Sequence, residues 1–168
     1  MAKPRVMLDT DILVSGLVFR RGNEHEVLRK VEDKEVTLVL PDSVVAEARE
    51  VFAEKFKGFE GLLELFLERV KPDAESVSLS QVLIQAEKVE AQVRDGKGAT
   101  FYAAVRIAAP DYAVTGDRSP REDLLKSDAA KGTRFVTSKE LLGRLKTCAR
   151  AAPAGRCPPR TSTISRMR

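Results

Sequence analysis

Two apolar runs, far apart in the chain, each end in acid. Val6-Met7-Leu8 stops at Asp9, with Thr10 and Asp11 directly behind it, and Tyr112-Ala113-Val114 passes through Thr115 and Gly116 to Asp117. Short apolar runs of this kind read as buried strands, and in parallel α/β sheets ligands collect beyond the carboxyl ends of the strands. Both acids are thereby directed to one place. Glu47 is a third member of the set. It falls about one turn into a helix expected after the strand Val36 to Leu40, near the border of the apolar face. The start of a helix that follows a parallel strand lies at the same end of the sheet as the strand-end acids.

Carboxylates gathered without histidine or cysteine make a hard, all-oxygen site, which suits Mg²⁺ or Mn²⁺ far better than Zn²⁺. Acids held close together repel one another unless a cation bridges them, so a metal explains both the gathering and its use. Such an ion lowers the pKa of a bound water and neutralises charge on the leaving oxygen of a phosphodiester. Hydrolysis of a nucleic-acid backbone fits that chemistry. Other reactive side chains are few: the single His25, within NEHEVLRK, reads as a surface histidine, and Cys148 and Cys157 form no ligand pattern and read as reduced thiols.

The elements that must position these acids alternate between strand and helix. After the first strand, Ile12 to Phe19 starts a helix, and a second begins with Asn23 as its cap and carries Val27, Leu28 and Val31 inward. Pro41 stops the second strand. Asp42 or Ser43 caps the helix that bears Glu47, whose apolar residues Val44, Val45, Ala48, Val51, Phe52 and Phe56 recur at helical spacing. Helices over Leu62 to Val70 and Gln81 to Val93 follow as a helical insertion, which either covers the core or forms a dimer face. A turn at 94–98 then leads into a small-residue helix, Ala99 to Ala109, and the acid-bearing strand after Pro110. A short helix from Arg121 to Lys126, a strand from Thr133 to Val136, and a helix from Lys139 to Lys146 capped by Ser138 complete the order. The pattern describes a three-layer α/β/α domain with a small, mainly parallel sheet.

Length and composition agree with a single domain. The chain has 168 residues, 43% hydrophobic and 32% charged, and no apolar run approaches the roughly 20 residues that span a bilayer. The opening MAKPRVMLDTD does not resemble a signal peptide, so the expected location is cytoplasmic, with no membrane partner. Net charge is +4, but Arg150, Arg156, Arg160, Arg166 and Arg168 all lie beyond Ala149 in an acid-free stretch, leaving a body of slightly negative charge. The expected division is a folded domain over residues 1–148 and a basic, Pro- and Arg-rich disordered tail over 149–168.

With these residues in view, the chain resembles a known family. LDTDILVSGL, LPDSVVAEAREVFAEKF, AAVRIAAPDYAVTGD and TRFVTSKELL look like a PIN domain of the kind found in the VapC toxins of bacterial and archaeal toxin–antitoxin pairs, over residues 5 to about 146. The resemblance implies a metal-dependent endoribonuclease acting on RNA, a homodimer with the helix Leu62 to Val70 as candidate interface, and an antitoxin protein as candidate partner. Asp9, Glu47 and Asp117 match the metal-binding acids, and Asp11 and Thr115 match polar neighbours of the site. One position departs from the family pattern. Gly98 stands where relatives carry an aspartate at a helix start, leaving Asp95, three residues earlier, as a candidate substitute. On this reading, Gly98→Asp should tighten metal binding. Two alternatives follow from the same residues: a PIN-fold module that binds RNA or protein without catalysis, and a haloacid-dehalogenase-type phosphatase using Asp9-Thr10-Asp11 with Asp9 as nucleophile.

Overall fold

β1, Arg5–Leu8, is the middle strand of a parallel sheet, and Val6, Met7 and Leu8 are all buried. A strand covered on both faces has no reason to alternate polar with apolar residues, which is why this one reads as a continuous apolar run. The computed structural model describes residues 3–90, 98–116 and 132–151. The expectations for the turn at 94–97, the last residues of the helix drawn to Val93, Arg121 to Lys126 and the tail from 152 onward lie outside these residues, as do Asp95 and Asp117.

In chain order, β1 is followed by α1 (Thr10–Val18), α2 (Asn23–Glu32), β2 (Thr37–Pro41), α3 (Asp42–Lys55), α4 (Glu60–Val70), a 3₁₀ turn (Lys71–Asp73), β3 (Glu75–Val77) and α5 (Leu79–Glu90). Then come α6 (Ala99–Ala108), β4 (Tyr112–Val114), β5 (Arg134–Val136) and α7 (Ser138–Ala151). The sheet order is β3-β2-β1-β4-β5, and every pairing is parallel. With α1 packed on α2 and α3, and α5 paired with α6 beside β2 and β3, the result is a three-layer α/β/α fold. No helix among the described residues is long and apolar enough to cross a membrane.

β3 interrupts what the sequence presents as an all-helical insertion. Its residues are Glu75-Ser76-Val77, of which only Val77 is buried, so no apolar run marks it. Hydrogen bonding to β2 makes it a strand, with Val39 opposite Glu75 and Pro41 opposite Val77. The Arg5 guanidinium reaches across the sheet to the Glu75 carboxylate, Nε to Oε1 at 3.0 Å, and its Nη1 donates to the Ala109 carbonyl at 3.0 Å. The exposed pair adds little stability, but it ties the edge strand to the centre. Asp111, at the opposite end of the sheet from Asp9, accepts the Arg5 backbone N–H at 2.8 Å. This acid closes a strand end and takes no part in the site.

Three capping expectations need correction. Gly22, not Asn23, is the N-cap of α2, in an extended conformation with positive φ of 151° that a side chain rarely adopts. α3 begins at Asp42 with Pro41 as its cap and no side-chain capping bond. The hydroxyl of Ser43 is buried and has no hydrogen-bond partner among the described residues. At α7 the cap is Thr137: its hydroxyl accepts the Glu140 N–H at 3.3 Å, while the Glu140 carboxylate accepts the Thr137 N–H at 2.9 Å. That reciprocal pair is a capping box, and Ser138 Oγ is buried with no hydrogen-bond partner among the described residues.

The apolar stripe of α4, which the sequence leaves open between core and dimer face, lies largely in the core: Leu63, Phe66, Leu67 and Val70 are buried, and Leu65 is the large apolar residue of this helix left outside, at 54% exposure. His25 is half-buried rather than free on the surface. Its Nδ1 lies 2.9 Å from the Gly16 carbonyl, where it must donate. α1 and α2 pack closely at the same glycine, where an added Cβ would lie 2.7 Å from Leu28 Cδ1.

Candidate functional site

The register between β1 and β4 builds the site. Leu8 pairs with Val114, so the next residues, Asp9 and Thr115, leave the sheet side by side. The Asp9 N–H continues the ladder to the Val114 carbonyl at 3.0 Å, and the Thr115 N–H does the same to the Val136 carbonyl at 3.1 Å. The chain moves outward from β1 to β2 on one side and returns to β4 on the other. Asp9 and Thr115 therefore flank the point where strand order reverses, the usual crevice of an open α/β sheet.

Asp9 is the N-cap of α1. One carboxylate oxygen, Oδ1, accepts the Thr10 N–H at 2.8 Å, and the other, Oδ2, accepts the Thr115 hydroxyl at 2.9 Å. Burial pushes the Asp9 carboxyl above the ordinary aspartate range; these two hydrogen bonds oppose the rise, and the charges of Asp11 and Glu47 add to it. An anion partly withdrawn from water, with two acidic neighbours, is costly without a counter-charge.

Glu47 comes to this place from α3. Its Oε2 accepts the Thr10 hydroxyl at 2.6 Å, although the residue is exposed as a whole. Thr10 itself is only 3% exposed and Thr115 4%. Asp11 stands exposed in the first turn of α1, close enough to act on Asp9 through its charge. Of the site residues expected from sequence, Asp9, Glu47, Thr115 and Asp11 are thus gathered at one end of the sheet. Among the described residues no group of three or more Asp, Glu, His or Cys side chains is placed to hold a metal.

Thr10 is the member of this cluster that sequence reasoning misses, since it reads as a spacer between two aspartates. Its signal is position: a hydroxyl at the first residue of a helix whose cap is the key acid. Gly98 is the N-cap of α6, with φ of −91°, so its backbone admits any residue. The space does not. A Cβ there would lie 2.7 Å from Cε2 of Tyr102, a ring that is 4% exposed and packed edge-on to Phe101, with Phe135 tilted against it. The aromatic ring fills the room that an acid at position 98 would need.

Comparison with known proteins adds two findings. A family model described as a PIN domain matches residues 5–119, a span that begins at β1 and includes Asp9, Glu47, Gly98 and Asp117. Among solved structures, VapBC2 from Rickettsia felis, bound to a DNA fragment from their promoter, is similar in fold at a TM-score of 0.57 and 13% identity, covering 79% of this chain and 98% of that one. No curated protein matches the chain.

Proposed function

This chain belongs to the PIN domain family, and we propose on that premise that it is a Mg²⁺- or Mn²⁺-dependent endoribonuclease of the VapC toxin type, acting in the cytoplasm. Members of the family are generally nucleases that use divalent metal ions. The observation that carries the reading is the Asp9 carboxylate, held by Thr10 and Thr115 at the strand crossover with Glu47 attached through the same Thr10.

The donor set fits a hard cation. Asp9 and Glu47 supply carboxylate oxygens, burial raises the cost of the Asp9 charge, and a cation relieves it. Asp9, Glu47 and Asp117 would hold the ion, with Asp95 as a further candidate. When bound, the ion supplies an activated water and neutralises charge developing on the phosphodiester's leaving oxygen. The chain's own residues orient: Thr10 and Thr115 fix both oxygens of Asp9, and α1 and α3 bring Glu47 alongside.

Antitoxin binding and a homodimer belong to the same proposal. For the homodimer, Leu65 and Phe59, 54% and 51% exposed, supply apolar surface around α4 that the core does not use. A second reading is favoured by one observation. Because Tyr102 fills the space beside Gly98, the domain can be a PIN-fold module that binds RNA or protein without cutting. The phosphatase reading gains nothing from the family match.

Cleavage of single-stranded RNA by the full chain, with Mn²⁺, with Mg²⁺ and with chelator, tests the proposal. Metal-dependent internal cuts that disappear in Asp9→Asn support it; RNA retained intact under all three conditions supports the binding module.

A further inference from the structure

Thr10 donates from two atoms to two acids on different elements. Its backbone N–H goes to Asp9 Oδ1 at 2.8 Å and its hydroxyl to Glu47 Oε2 at 2.6 Å. The first bond lies within one strand-to-helix junction; the second crosses from α1 to α3, over 37 positions of sequence. A hydroxyl-to-carboxylate contact this short is a charge-assisted hydrogen bond, stronger than one between neutral groups.

Glu47 needs such an anchor. It is exposed on a helix surface, and a free glutamate has rotamers enough to point its carboxylate into water, away from the negative charge of Asp9. Asp9 does not share this freedom, since Thr115 and the Thr10 N–H hold both of its oxygens. Thr10 is itself well held: it is buried, and as a β-branched residue in a helix its χ1 is restricted. A rigid, neutral donor therefore sets where the mobile acid lies relative to the fixed one.

We infer that Thr10 is a positioning residue, whose hydroxyl holds the Glu47 carboxylate beside Asp9 so that the two acids present their oxygens to one divalent cation. The inference rests on the metal-dependent reading above and deepens it. The hydroxyl matters, and the methyl group only packs. Substitutions separate the two: Thr10→Val keeps shape and removes the donor, while Thr10→Ser keeps the donor and removes the methyl. The Thr10 backbone N–H survives in both, so Asp9 keeps its cap.

The test is Mn²⁺ affinity of the full chain, measured by calorimetric titration, alongside the melting temperature in chelator. Thr10→Val should weaken Mn²⁺ binding roughly 10- to 100-fold, the loss that follows removal of a group orienting a metal ligand. Thr10→Ser should bind Mn²⁺ like the parent, even if packing loss lowers its melting temperature. In a Glu47→Ala background, Thr10→Val should cost no further affinity, because the group it positions is gone. Equal Mn²⁺ affinity in parent and Thr10→Val overturns the role while leaving the nuclease reading intact. So does a Thr10→Ser variant as weak as Thr10→Val, which would assign the effect to the methyl. A parent that does not bind Mn²⁺ overturns the nuclease reading and this role together.

Discussion

Thr115 Oγ1 donates to Asp9 Oδ2 at 2.9 Å, joining the carboxyl ends of two adjacent strands through their side chains. The bond follows directly from the Leu8–Val114 register. Thr115→Val should leave that oxygen without its buried donor and destabilise the domain by about 1.5–3 kcal/mol, the range for hydrogen bonds to charged groups. Urea unfolding of parent and variant measures this, and a loss below about 0.5 kcal/mol would show that water or another group replaces the hydroxyl.

Asp9 should cost the fold stability at neutral pH. Its carboxyl is raised by burial, so the folded state holds its proton more tightly than the unfolded chain does. The penalty is present at pH values above the folded pKa and is relieved as pH falls through it. Asp9→Asn removes the penalty, and its amide remains compatible with both neighbours: the amide oxygen accepts the Thr10 N–H, and the Thr115 hydroxyl can turn to accept from the amide nitrogen. In chelator the variant should melt at or above the parent temperature at pH 7, and the gap should close on acidification. A variant that melts well below the parent at pH 7 would mean that the carboxylate is worth more as a cap than it costs as a buried charge.

Gly98→Asp, expected from the family pattern to improve the site, should instead destabilise the domain. The new Cβ meets the buried Tyr102 ring at 2.7 Å, and overpacking of this kind typically costs about 1–3 kcal/mol. Tyr102→Leu makes room. Added to Gly98→Asp, it should cost less than it costs alone in the parent, by roughly 0.5–3 kcal/mol of coupling in a double-mutant cycle. Strict additivity in urea unfolding would show that the backbone shifts and the ring is not the obstacle.

The site's main axis is legible in the sequence because it depends on local pattern: an apolar run stopped by acid, twice, in strands that pair. Glu47 is legible through helical periodicity. Thr10 is not, since its hydroxyl acquires meaning only where α1 meets α3, a contact between distant segments. β3 is hidden for a related reason. Its polar residues Glu75 and Ser76 are held in a strand by the edge of β2, so pairing overrides composition. The caps of α3 and α7 fall one residue earlier than their side chains suggest: Pro41 and Thr137 hold positions assigned to the residues after them, a shift common where a cap is inferred from residue type.

Removal of residues 152–168 takes away Arg156, Arg160, Arg166 and Arg168 and no acid, while sparing α7, which ends at Ala151. Stability should change little. Affinity for single-stranded RNA at low salt should fall, and the slope of log affinity against log salt should become shallower by about 0.7 for each phosphate no longer neutralised. Fluorescence anisotropy across a salt series gives both quantities. An unchanged slope would show that these arginines do not touch RNA.

The central claim, that Asp9, Glu47 and Asp117 share a divalent cation, is tested most directly by the stability that Mn²⁺ confers on the full chain. A ligand bound only by the folded state stabilises it by about 2.7 kcal/mol at a concentration 100-fold above its Kd. The parent should show a gain that rises with Mn²⁺ concentration in this way, and Asp9→Asn, Glu47→Gln and Asp117→Asn should each lose most of it while remaining folded. A parent whose unfolding curve is the same in Mn²⁺ and in chelator, or three variants that gain as much as the parent, would contradict the account.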